Sequence, residues 1–187
     1  ASQDWHPANH GSFASQHNVE PLTQGELDGL AQTFWPDHCV QQTEGAALHP
    51  LLNQKAIDAV FPIKGEKPRQ IDSYSAFFDN GHRQKTALDA WLRHHEITEL
   101  IVLGLATDYC VKFTVLDALQ SGYTVSVITD GCRGVNIHPQ DSAQAFYGDW
   151  LPKARRCIPW QTGWNAGVVF KPGGGFALPG LRFFRCY

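Results

Sequence analysis

The sequence predicts an α/β fold, a parallel sheet flanked by helices on both faces in a three-layer, Rossmann-like arrangement. Three observations predict it. Glu99-Leu100-Ile101-Val102-Leu103-Gly104-Leu105-Ala106 is a nearly continuous apolar run, as in a strand buried on both faces. Val111, Val115, Leu116 and Leu119 follow it at helical spacing. A second β-branched run, Tyr123 to Thr129, comes next. Strand, helix and strand at this spacing call for a crossover connection between parallel strands.

Each element has a local reason. Ala56 to Phe61 is a short strand candidate. Leu88, Trp91 and Leu92 mark one face of a helix over about Thr86–His95. The helix from Val111 ends at Gln120, and Gly122 suits its C-terminal cap. Asp141 suits the N-cap of a last helix running through Ala143 to Phe146.

Composition sets further bounds. The chain has 187 residues, 43% apolar and 18% charged, enough to build a core and unlike a disordered chain. A net charge of −3 argues against a nucleic-acid partner. No apolar run reaches the roughly 18–20 residues that span a bilayer, and no secretory signal precedes the first strand. Five cysteines without a C-x-x-C pair suit free thiols in a reducing compartment, hence the cytoplasm. The chain begins at Ala1 and has no Met, which suggests a missing beginning.

Charge divides the chain. Residues 147–187 hold six basic residues against one acid, leaving residues 1–146 at −8. That stretch also holds seven of the 17 Gly and three of the six Trp, and only Val168-Val169-Phe170 looks strand-like. The expected organisation is a domain over 1–146 and a basic, poorly structured tail over 147–187.

Three polar constellations each follow a strand-like run, where open parallel sheets bind ligands. The first is Asp4-Trp5-His6-Pro7-Ala8-Asn9-His10. In extended backbone Asp4 and His6 point to one side, with His10 near and His38 of Trp-Pro-Asp-His-Cys a distant partner. Two His and a carboxylate suit Zn²⁺, Fe²⁺ or Mn²⁺; the plain alternative is a set of exposed loop residues. The second is Gly104-Leu105-Ala106-Thr107-Asp108-Tyr109-Cys110, where a thiol at a helix start meets the positive end of the dipole and free amides. A small Cys packing helix against sheet is the plain alternative. The third is Lys64-Gly65 followed by Asp72-Ser73-Tyr74-Ser75-Ala76-Phe77. Lys64 could hold a thiolate or sit in a surface turn, and Trp35, Tyr74 and Phe77 could wall a flat ring or serve as core.

Together and in this order, these motifs resemble the nicotinamidase/pyrazinamidase group of the isochorismatase-like cysteine hydrolases. The resemblance runs from Ala1 to about Phe146 and includes Asp130-Gly131-Cys132-Arg133-Gly134-Val135. It implies Cys110 as nucleophile, Lys64 as its lysine partner, and Asp4, His6 and His38 as metal ligands, zinc foremost. His10 matches a further histidine that only some members use. Leu105-Ala106 matches a cis peptide, with the Ala106 and Cys110 amides forming the oxyanion hole. Trp35, Tyr74 and Phe77 match the substrate wall. The implied reaction converts nicotinamide and water to nicotinate and ammonia through a Cys thioester, in NAD salvage. Pyrazinamide presents the same carboxamide, and members often assemble as homo-oligomers.

The family's first strand and helix, with its catalytic Asp, find no match, so the expected activity is impaired. Two alternatives stay open: a non-catalytic product that binds metal or ligand only, and a same-fold cysteine amidase for another carboxamide or carbamoyl substrate.

Overall fold

A computed structural model describes residues 1–63, 71–145, 148, 156–158 and 181–186, the last two segments as backbone strands. The chain divides into two compact units, Ala1–Thr86 and Ala87–Tyr187.

The first unit holds two small strand pairs and much ordered loop. Strand β1 (Ser2–Asp4) runs parallel to β4 (Phe61–Ile63), in register from Ser2 opposite Phe61 to Asp4 opposite Ile63. The short strand therefore begins at Phe61, where the expected one was to end. The stretch before it is occupied by a 3₁₀ turn at Gln54–Ala56. Strands β2 (Gln24–Leu27) and β3 (Leu30–Thr33) form an antiparallel hairpin. Its turn is Asp28-Gly29, both at positive φ (52° and 80°), the geometry of the two-residue hairpin loop. Glycine takes such a φ without penalty. The core of this unit includes Phe13, Phe34, Trp35, Ile71, Ala76 and Phe77, all buried.

The second unit is the α/β part. Four parallel strands lie in the order β8 (Leu181–Cys186), β5 (Glu99–Leu105), β6 (Thr124–Arg133) and β7 (Arg156–Ile158). Helix α1 (Leu88–His94) precedes β5, helix α2 (Lys112–Gln120) connects β5 to β6, and α3 (Asp141–Gln144) follows β6. Leu100, Ile101 and Val102 are consecutive and essentially inaccessible, so β5 is covered on both faces, as its apolar run requires. Leu88 and Leu92 of α1 and Val115 and Ala118 of α2 are buried with them. Gly122, at φ +92°, ends α2 as expected of a C-terminal cap.

Two boundaries differ from the sequence reading. Strand β6 runs on to Arg133, with a register irregularity opposite Val102–Gly104, so Asp130 and Cys132 belong to the strand. Strands β7 and β8 lie in the segment expected to be a poorly structured tail. Pairing with β6 and β5 orders them, a non-local cause that local composition does not carry. The Val168–Phe170 candidate lies outside the described residues. Among the described residues, no helix is long and apolar enough to cross a membrane.

Candidate active site

In the first unit, Asp4 closes β1 and His6 lies two residues on, both buried, at 8% and 0% exposure. Backbone pairing brings the 38–41 segment alongside. The His6 amide donates to the Cys39 carbonyl (3.0 Å), and the Gln41 amide donates to the His6 carbonyl (2.8 Å). His38 thus arrives beside His6, with ring centroids 4.6 Å apart, and His10 stands 4.9 Å from His6. Phe13, fully buried, touches all three imidazoles at 5.1–5.8 Å.

Hydrogen bonds assign the tautomers. His6 Nδ1 faces the His38 carbonyl at 3.1 Å and His38 Nδ1 faces the Pro36 carbonyl at 2.7 Å. A carbonyl only accepts, so both rings carry their proton on Nδ1 and their lone pair on Nε2. His10 differs. Its Nδ1 accepts the Ser12 amide (3.2 Å) and lies 2.8 Å from Ser12 Oγ, so a neutral His10 carries its proton on Nε2. His6 and His38 thus each have a carbonyl at Nδ1, the arrangement that ligand histidines usually have. His10 presents a donor.

The donor types fit a divalent ion: two imidazoles and one carboxylate, with Asp4 Oδ1 and His6 Nε2 fully buried. Burying a carboxylate is costly, and a cation would offset that cost. Among the described residues, however, no three His, Cys, Asp or Glu side chains converge on a single point that could hold an ion.

The aromatic wall is partly assembled. Trp35 Nε1 donates to Tyr74 Oη (3.1 Å), with the rings edge to face at 6.2 Å. Phe77 is 1% exposed and belongs to the core of its unit. Its segment is fixed by turns: Asp72 accepts the Ser73 amide, Ser73 Oγ donates to the Phe78 carbonyl, and Asn80 Oδ1 accepts the Tyr74 amide. Lys64 lies outside the described residues.

In the second unit, β5 leads through a cis Leu105–Ala106 peptide into a π-helical turn, Thr107–Val111, which continues as α2. π-Helical turns are frequent at functional sites. Cys110 sits in this turn at 7% exposure and is a reduced thiol, as are Cys39 and Cys132. The Tyr109 and Val111 amides both donate to the Ala106 carbonyl (3.1 and 3.0 Å), so neither serves an oxyanion. The family resemblance assigns that role to the Ala106 and Cys110 amides.

Asp108 is a feature that motif reading did not use. Its Oδ1 accepts the Val135 amide (3.0 Å) and its Oδ2 the Asn136 amide (2.6 Å). Ser12, the partner of His10, was also missed. Its sequence signal is the i, i+2 spacing from a histidine in a turn.

The isochorismatase domain profile matches residues 9–147. The chain is 82% identical over 146 residues to a nicotinamidase of Escherichia coli (strain K12), covering 78% of this chain and 68% of that protein. It is 39% identical to a nicotinamidase of Acinetobacter baylyi (strain ATCC 33305 / BD413 / ADP1), covering 73% and 64%. The chain thus spans about two thirds of the length of these relatives. Among solved structures, an Acinetobacter baumanii nicotinamidase/pyrazinamidase superposes with a TM-score of 0.76 at 37% identity, over 83% of this chain and 74% of the other. A yeast nicotinamidase bound to the inhibitor nicotinaldehyde gives 0.72 at 28%, over 83% and 77%. A Pyrococcus horikoshii pyrazinamidase in complex with zinc gives 0.63 at 29%, over 86% and 74%. With a parallel α/β unit, a buried cysteine after its β5 strand, and a family match over most of its length, this chain belongs to the isochorismatase domain family.

Proposed function

We propose that the chain is a nicotinamidase-type amide hydrolase that converts nicotinamide and water to nicotinate and ammonia, with pyrazinamide as an alternative substrate, in NAD salvage. The observation that carries this reading is the 82% identity over 146 residues to a nicotinamidase. The buried Cys110 in the Thr107–Val111 turn that follows β5 supports it from the chemistry side.

Cys110 Sγ attacks the carboxamide carbon. The new C–S bond turns the carbonyl oxygen into an oxyanion, to which the Ala106 and Cys110 amides donate. The C–N bond then breaks, and the nitrogen takes the proton that the Cys110 thiol gave up and leaves as ammonia. Water attacks the thioester carbon and the C–S bond breaks; one water proton returns to sulfur and restores the thiol, the other is released, and nicotinate departs. Lys64 supports the thiolate form of Cys110. Asp108 has another task, its two oxygens each accepting a backbone amide. Asp4, His6 and His38 would hold a divalent ion, zinc foremost. Such an ion would supply a Lewis acid at the site. Trp35 and Tyr74 offer the ring a flat wall. The zinc-bound pyrazinamidase relative supports the metal assignment. The thioester route needs Cys110 reduced, which fits a reducing compartment.

Acid quench during turnover tests the route. The expected result is a nicotinoyl adduct on the Cys110 peptide by mass spectrometry, absent in Cys110→Ala. Turnover with no adduct on any cysteine, in a protein whose thioester is shown to survive the quench, would overturn it.

A further inference from the structure

We propose that Asp108 is a positioning residue, clamping the nucleophile turn to the segment that leaves β6. This rests on the reading of Cys110 as nucleophile. Asp108 stands two residues before Cys110, inside the Thr107–Val111 turn, and is 8% exposed. Its carboxylate spans two successive amides, Val135 N–H to Oδ1 and Asn136 N–H to Oδ2, at 3.0 and 2.6 Å. Charge-assisted hydrogen bonds of this kind are roughly twice as strong as neutral ones, and here two come from one side chain.

The receiving segment is itself fixed. Asn136 takes a left-handed φ of 53°, and its Oδ1 accepts the Ser142 amide at the start of α3 (3.0 Å). A Cβ on Gly134 would collide with Ser142 Oγ and stand 3.2 Å from Asp108 Oδ1. An alanine here has to turn Ser142 Oγ aside and crowds Asn136 Nδ2 (3.0 Å) as well as Asp108. Turn, segment and helix start are thus joined through Asp108 and Asn136. The same turn carries one expected oxyanion donor, the Cys110 amide, and Ala106, the other, directly precedes it. Loosening the clamp would displace the thiol and its oxyanion donors together, and a misplacement of about 1 Å can cost about 10²-fold in rate.

The test uses the full chain with Asp108→Ala, Asp108→Asn and Gly134→Ala. Gly134→Ala disturbs the clamp from its other side without changing charge. Three quantities are read: kcat and KM for nicotinamide, the rate of Cys110 alkylation by iodoacetamide resolved by peptide mass spectrometry, and the melting midpoint. Asp108→Ala and Gly134→Ala should each lower kcat about 10–100-fold with KM within about three-fold, and the double variant should be no worse than the worse single. Cys110 alkylation should rise at least about five-fold, because a buried thiol gains access. Folded Asp108→Ala protein with kcat and Cys110 alkylation both within about two-fold of the parent overturns the proposal. Should Asp108→Ala not fold, Asp108→Asn, which keeps the shape and one acceptor, decides on the same readouts. Cys110→Ala separates the two claims. If it leaves turnover intact, the nucleophile assignment fails, and the alkylation rate alone then decides the clamp.

Discussion

Individual side chains carry most of the chemical argument, and the hydrogen-bond partners of each ring decide its role. His6 and His38 have backbone carbonyls at Nδ1, whereas His10 accepts the Ser12 amide there. Elemental analysis after zinc loading should therefore show binding weakened at least about ten-fold in Asp4→Ala and His6→Ala, with His10→Gln close to the parent. Equal loss in all three would remove the distinction between His10 and the others. The spacing Asp4-x-His6 was legible, because alternation along extended backbone is a local rule. The tautomers were not, since they depend on partners such as the Pro36 and His38 carbonyls. Tyr123 offers a pH test. Burial foremost, then its hydrogen bond to Asp89 (2.7 Å) and the Asp89 charge, pushes its phenol up to about 12 from the usual 10.0. The folded state then keeps a proton that the unfolded chain releases near pH 10. This contribution is whole below pH 10 and drains away as pH rises toward 12. Tyr123→Phe should lower stability by about 1–2 kcal/mol at pH 8 and flatten the decline of stability between pH 10 and 12, measured by urea unfolding. A parent and variant with parallel alkaline profiles would contradict the assignment.

At the scale of elements, legibility followed locality. Strand β5 and helix α2 were readable within a residue or two, because a continuous apolar run and a helical stripe are properties of the segment itself. Leu100, fully buried in β5, should cost about 2–5 kcal/mol on replacement by Ala in an equilibrium unfolding series. The β2–β3 hairpin was overlooked although Asp28-Gly29 announces it. Its strands, Gln-Gly-Glu-Leu and Leu-Ala-Gln-Thr, lack the β-branched alternation that usually accompanies such a turn. Gly29 has φ +80° and open space around it, so Gly29→Ala tests backbone strain alone. The expected loss is about 1 kcal/mol, with no change in nicotinamide turnover. The π-helical turn at Thr107–Val111 left no periodic trace, being a single irregular turn joined to a regular helix. Strands β7 and β8 were invisible for a different reason: their order comes from β6 and β5, far away in sequence.

At the scale of the whole molecule, family was more legible than topology. A thiol followed by a helical stripe, an Asp-x-His pair and a distant histidine are each weak alone, but their order along the chain is specific to one family, and the isochorismatase domain match over residues 9–147 bears that family out. What motifs could not supply is the support behind them: Asp108 holding the turn, Ser12 setting the His10 tautomer, Phe13 filling the space among the imidazoles. These residues act through contacts rather than through chemistry, and only Ser12, two residues after His10, carries even a weak spacing signal. The central claim is that this chain hydrolyses nicotinamide with Cys110 as nucleophile. Ammonia release from nicotinamide by the purified full chain and by Cys110→Ala measures it most directly. The account predicts measurable release by the parent and a loss to the background rate in the variant. Equal release by both proteins would contradict it.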